Sequence, residues 1–149
     1  MNKSDWDRVF VLTVEVLVVK DNCCEEEDIR VLDLSGYVKL RELKVGDYCF
    51  KKVEELQMIG MKCLERVVIG MYSFTKEVYG QDKKRHFDLK DCPSLKELKM
   101  GRFSFSDYSK CKIENVNALE VIEIGDLNLY SHNFHCASLE LTGILIHSV

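Results

Sequence analysis

Three groups of residues in this chain could carry chemistry. His132, His135 and Cys136 put two imidazoles and a thiol close together, the ligand types that hold zinc. A closed structural zinc site needs four ligands in a tetrahedron, and no second pair such as Cys-x-x-Cys lies elsewhere. The expectation is therefore histidines in a loop and Cys136 packed inward as a small apolar residue. Cys23-Cys24 raises a redox reading, but adjacent cysteines rarely pair with each other, and packing accounts for both. The run Lys83-Lys84-Arg85-His86 could meet phosphate, yet Asp82 and Asp88 flank it. A short basic run in a loop is expected to be solvated, not to be a nucleic-acid site. No glycine-rich phosphate loop, nucleophile elbow or paired-histidine metalloprotease motif is present. No catalytic residue, metal ligand or cofactor is nominated, and a non-enzymatic protein is expected.

Composition narrows the class further. The chain has 149 residues, 46% of them hydrophobic, enough for one continuous core. Its 21 basic and 25 acidic side chains leave a formal charge of −4, which supplies no general attraction to nucleic acid or anionic membrane. The 7 cysteines are an odd, scattered set, as expected of reduced thiols and not of a disulfide framework. The apolar run from Val9 to Val19 contains Glu15 and is too short to span a bilayer, and no positive leader precedes it. It reads as a strand, and a cytoplasmic location is expected.

The elements that position all of these come from a repeat. Leu40, Leu43, Val45, Gly46 and Phe50 recur as Leu64, Val67, Ile69, Gly70 and Phe74, then as Leu95, Leu98, Met100, Gly101 and Phe105. A further copy reads Leu119, Ile122, Ile124, Gly125 and Leu129. A fainter first copy reads Val14, Leu17, Val19 and Cys24, with Lys20 in the glycine position. The copies begin at residues 14, 40, 64, 95 and 119, spacings that fall around the period of leucine-rich repeats. A second half recurs in phase as Leu34, Met58, Leu89 and Ile113. Too few residues separate Phe50 from Met58, or Phe105 from Ile113, for a helix, so short strands or irregular turns are expected there.

A solenoid follows. Residues at the first, fourth and sixth repeat positions should point inward and stack on their counterparts one turn away. The glycine at position seven should let the backbone turn sharply, and the aromatic at position eleven should fill the far side of the core. Stacked parallel turns also set like-numbered exposed residues opposite one another. Position two reads Arg41, Glu65, Lys96, Glu120, and position three reads Glu42, Arg66, Glu97, Val121, so charge alternates down both ladders. Lys99 and Glu123 continue this at position five. Extra residues in Thr75–His86 predict a surface loop, and others near Tyr130-Ser131-His132-Asn133 a second one. No polar cap is evident at either end. A segment of a longer array, or end-to-end self-association, is expected.

The form Leu-x-x-Leu-x-[Val/Ile/Met]-Gly-x-x-[Ser/Cys]-Phe in residues 40–50, 64–74 and 95–105 resembles the bacterial and protist leucine-rich repeats with phenylalanine at the eleventh position. The asparagine usual at position nine is replaced by Tyr48, Tyr72, Phe103 and Leu127. The resemblance implies a mainly β leucine-rich-repeat solenoid over residues 1–149, of about five turns, with a parallel inner sheet, short outer strands or turns and little helix. It also implies a binding or scaffold module meeting a protein partner on a concave strand face. That face would be built from Arg41, Lys44, Arg66, Val68, Met71, Lys99 and Arg102, with Val68 and Met71 as an exposed apolar spot. The alternative is a structural or adhesive array segment stacking end to end.

The register has a direct consequence. Ile69→Asp puts an unpaired charge in the shared core and should abolish the cooperative thermal transition, whereas Lys84→Ala should leave the midpoint unchanged. Melts followed by circular dichroism check both, and the reverse order would mean that the repeat register is wrong.

Overall fold

A computed structural model describes residues 12–24, 28–125, 131–135 and 137–144. Ten strands follow one another without an intervening helix among the described residues: β1 (Val16–Val19), β2 (Val31–Asp33), β3 (Glu42–Val45), β4 (Glu55–Ile59), β5 (Arg66–Ile69), β6 (Asp82–Lys90), β7 (Glu97–Met100), β8 (Tyr108–Glu114), β9 (Val121–Ile124) and β10 (Ser138–Thr142). Odd strands form one five-stranded parallel sheet in the order β1-β3-β5-β7-β9, and even strands form the other in the order β2-β4-β6-β8-β10. Each turn of the solenoid gives one strand to each sheet.

The register is the one the repeats predict. Leu17, Leu43, Val67, Leu98 and Ile122 are successive partners in the odd sheet, and Leu32, Leu56, Phe87, Cys111 and Leu139 in the even sheet. Period-two alternation sends these inward, and Leu40, Leu43, Leu56, Met58, Val67, Leu89 and Leu98 are buried. Phe50, Phe74 and Phe105 stack at 5.1 and 4.8 Å in the corner between the sheets. Ring separation there lies close to the ordinary distance between neighbouring strands, roughly 4.7–4.9 Å, so one stacking geometry serves these turns.

The role expected for the position-seven glycine is corrected. Gly125 does turn at positive φ (75°), as expected, but Gly46, Gly70 and Gly101 do not; in their corners the left-handed residues are those at positions nine and eleven, Tyr48 and Phe50, Tyr72 and Phe74, Phe103 and Phe105. A Cβ on Gly70 would lie 2.5 Å from the carbonyl carbon of Gly46, and one on Gly101 would lie 2.5 Å from the Met71 amide nitrogen. Glycine is needed because the preceding turn presses backbone against it. Lys20 is tolerated because among the described residues no earlier turn lies beside it.

The fifth repeat is also corrected. Phe134, not Leu129, supplies the eleventh-position ring, stacking on Phe105 at 5.0 Å. Ser131 accepts the Phe103 amide as Arg102 accepts that of Tyr72, which fixes Ser131 at position eight. The extra residues therefore stand after Gly125; Leu127 and Leu129 lie outside the described residues.

The loop expected over Thr75–His86 is a loop only as far as residue 81. Residues 82–86 belong to β6, whose alternation turns Arg85, Phe87 and Leu89 inward. Arg85 is 1% exposed. Its guanidinium donates to the carbonyls of Lys51 (2.9 Å) and Phe74 (3.1 Å), lies 5.0 Å from the Tyr108 ring centroid and sits 3.4 Å from Asp107 Oδ1. Asp107 Oδ2 accepts from the amides of Lys76 and Glu77, tying down the inserted loop. Burial pushes the Asp107 carboxyl up, against the pull of Arg85 and those amides.

Arg85→Ala would leave that carboxylate buried without its cation and should destabilise the fold by about 3–5 kcal/mol. Lys84→Ala, one residue away and exposed, should stay within roughly 0.5 kcal/mol. Urea unfolding of the two variants checks the contrast.

Candidate functional site

The outward face of the odd sheet is two rows. Position three runs Val16, Glu42, Arg66, Glu97, Val121, and position five runs Val18, Lys44, Val68, Lys99, Glu123. Arg66 lies between two acids, 3.4 Å from Glu42 and 2.8 Å from Glu97; Arg41 meets Glu65 at 3.3 Å and Lys99 meets Glu123 at 3.7 Å. Lys44 sits 3.0 Å from Glu42. Its hydrogen bond, joined by the charge of Arg66, holds the Glu42 carboxyl below the usual range. These exposed and half-exposed pairs are screened by solvent, so they fix register more than stability.

Of the seven residues the sequence nominates, the fold brings Arg41 and Arg66 together at a groove of about 230 Å³ shared with Glu15, Val16, Glu42 and Glu65. Lys44, Val68 and Lys99 share one row, while Met71 and Arg102 occupy position eight at the corner. The exposed apolar spot expected at Val68 and Met71 is not found: both are half-buried. Val68 is flanked by two lysine stems, and the more open apolar side chains of this face are Val16 and Val18, at 54% and 56%.

A row the sequence reading passed over runs beside that face. Tyr48, Tyr72, Phe103 and His132, all at position nine, stack at 5.0, 4.8 and 5.5 Å. Tyr48 is exposed and the other three half-buried, and the exposed Tyr79 meets His132 edge-on at 5.1 Å. Their recurrence was visible in the sequence, but only as an asparagine that was missing. Directly beneath, position ten does the work of an asparagine ladder. Cys49 Sγ donates to the Lys20 carbonyl (3.1 Å), Ser73 Oγ to that of Gly46 (2.7 Å) and Asn133 Nδ2 to that of Gly101 (2.7 Å). The carbonyls of Lys20, Gly46 and Gly101 at the tight corner are thereby satisfied, while Ser104 breaks the pattern by donating to Gly101 of its own turn (2.7 Å).

The chemistry-bearing groups fall elsewhere. His132 is a rung of the aromatic row, with Nδ1 3.2 Å from that of His135; Cys136 lies outside the described residues. Cys24 is buried at position eleven, and Cys23 is half-buried. Among the described residues no set of three His, Cys, Asp or Glu side chains has the geometry to hold a metal. No helix among them is long and apolar enough to cross a membrane. The even sheet presents polar rows, Glu55-His86-Lys110-Ser138 and Gln57-Asp88-Lys112-Glu140. There Lys83, His86, Asp88, Ser109, Lys110 and Ser138 line a depression of about 500 Å³. Lysines and carboxylates in it largely neutralise one another, with Lys110 3.4 Å from Glu140 and His86 3.5 Å from Asp88.

No protein-family model matches the chain, and neither a curated protein nor a solved structure is detectably similar to it.

Thiol reactivity tests the assignment of the cysteines to packing. Burial pushes Cys49 up to about 11 and Cys111 up to about 12 from the ordinary 9.0. Folded protein should be alkylated first at exposed Cys63, and at Cys49, Cys92 and Cys111 only on unfolding. Because the unfolded chain releases these protons first, the thiols' contribution to stability is complete below pH 9.0 and falls as pH rises towards about 12. Cys111→Ala should flatten that alkaline loss in pH-dependent urea titrations.

Proposed function

We propose that this chain is a non-catalytic binding or scaffold module of leucine-rich-repeat type, meeting a protein partner through the odd sheet and the corner beside it. The observation that carries the reading is the half-exposed stack of Tyr48, Tyr72, Phe103 and His132. Aromatic, methionine and arginine side chains are the types enriched in the cores of protein interfaces, and here they share one ridge with Met71 and Arg102. Stacking on their neighbours makes the rings rigid before any partner arrives, which lowers the ordering cost of binding.

Two strand-bearing sides also bear on shape. A horseshoe bends because helices on one side are wider than strands on the other. Here both sides are parallel strands of equal spacing, so the contact surface is read as the odd sheet with its aromatic edge and not as a concave groove.

A photo-crosslinking residue at Lys44 or Arg102 should capture one defined protein, and the same residue at Gln57 on the even sheet should not. The Val68→Glu, Met71→Glu double variant should cut the yield about tenfold or more, with its melt unchanged. Capture from Gln57 alone would place the contact on the wrong sheet and overturn the reading.

A further inference from the structure

We propose that His132 and His135 form a binding site for a divalent transition-metal cation that prefers nitrogen ligands, Zn2+, Ni2+ or Cu2+, held between their two Nδ1 atoms. Those nitrogens lie 3.2 Å apart. Two Zn–N bonds of roughly 2.0–2.1 Å meeting at a tetrahedral angle separate their nitrogens by about 3.3–3.4 Å, so the pair already stands at the bite of a shared ion. The ring centroids are 4.8 Å apart and the planes inclined at 63°, so the nitrogens are the edges that approach each other. A single N–H···N bond spans the same gap while one ring carries its proton on Nδ1. When both rings carry it on Nε2, two lone pairs face the gap, and a cation takes the place of the proton.

Both histidines are held in place before any ion arrives. His132 lies over the Phe103 ring at 5.5 Å and meets Tyr79 edge-on at 5.1 Å, so its imidazole is fixed by the aromatic column. The two residues that join the pair are pinned to the preceding turn. Asn133 Nδ2 donates to the carbonyls of Gly101 (2.7 Å) and Ser104 (3.1 Å), and Phe134 stacks on Phe105 and donates its amide to the Phe105 carbonyl (3.2 Å). The Ala137 amide then closes the turn that carries His135 by donating to the Phe134 carbonyl (3.0 Å). With φ of 48° at His132 and 49° at Phe134, this is the same left-handed corner that the earlier turns use. A spacing of three residues, which by itself leaves the two rings free to point apart, is thereby set as a chelate, and a preset bite lowers the ordering cost of binding. Two protein ligands leave further coordination positions to water. The ion is therefore exchangeable and the fold stands without it, unlike a closed four-ligand structural zinc.

Zinc chloride titrated calorimetrically into the full, reduced chain should fill one saturable site per chain. His132→Phe keeps a ring in the column but removes a ligand nitrogen, and should weaken that site about tenfold or more with its metal-free melt unchanged. His135→Ala, at an exposed side chain, should do the same. His86→Gln, on the even sheet, should leave the site intact. Added Zn2+ should raise the melting midpoint of the unmodified protein and not that of His135→Ala. If His132→Phe fails to fold, His135→Ala and the imidazole proton resonances of the unmodified protein decide instead: the signals of His132 and His135 should move with Zn2+, and that of His86 should not. No saturable site, an affinity unchanged in either ligand variant, or a site lost in His86→Gln would overturn the proposal.

Discussion

One constraint governs this molecule: every turn lies in register on the one before it, at the spacing of neighbouring β-strands. Whatever occupies a repeat position must stack on its own kind at roughly 4.8 Å, and few side chains do so well. Flat rings do, which is why Phe50, Phe74, Phe105 and Phe134 form one column and Tyr48, Tyr72, Phe103 and His132 another. Branched aliphatics do in the sheets. Charges do only if they alternate, as Glu42, Arg66 and Glu97 do.

The same close approach explains the corner. Backbone pressed against backbone leaves no room for a Cβ at Gly46, Gly70 and Gly101, whereas Gly125 is glycine for its positive φ and its close approach to Ser131 and Asn133. The turn is then completed by aromatic residues at positive φ, a conformation that costs on the order of 1–3 kcal/mol per non-glycine residue. It persists because each strained residue places a ring in a stack, and because the thiol, hydroxyl or amide between the two rings binds the carbonyl of a glycine-position residue. Strain, stacking and hydrogen bonding are thus parts of one device repeated along the array.

Where the repeat is interrupted, its rules still hold. The insertion in the third turn might have been a free loop, yet strand alternation carries Arg85 into the interior, and Asp107, Tyr108 and three carbonyls are arranged around it or its ring partner. Composition misleads at this point because a basic run is ordinarily solvated; counting back in twos from Leu89 and Phe87 would have turned Arg85 inward. In the fifth turn the triplet His132-Asn133-Phe134 repeats the pattern of Tyr72-Ser73-Phe74, and an insertion before it displaced the register by which Leu129 was chosen.

By itself the sequence determined the solenoid, its turn count, the inward residues apart from Arg85 and Phe134, and the alternation of charge, because in-register stacking imposes one periodicity on side chains and backbone alike. It also supplied every residue of the odd face. Only the tertiary structure decided which of those side chains stand open, since exposure depends on the flanking turn: Val68 is screened by the lysines beside it, whereas among the described residues Val16 and Val18 have a neighbouring strand on one side alone. Only the fold revealed the aromatic ridge as a surface, because that is a property of what lies next to a residue and not of the residue itself.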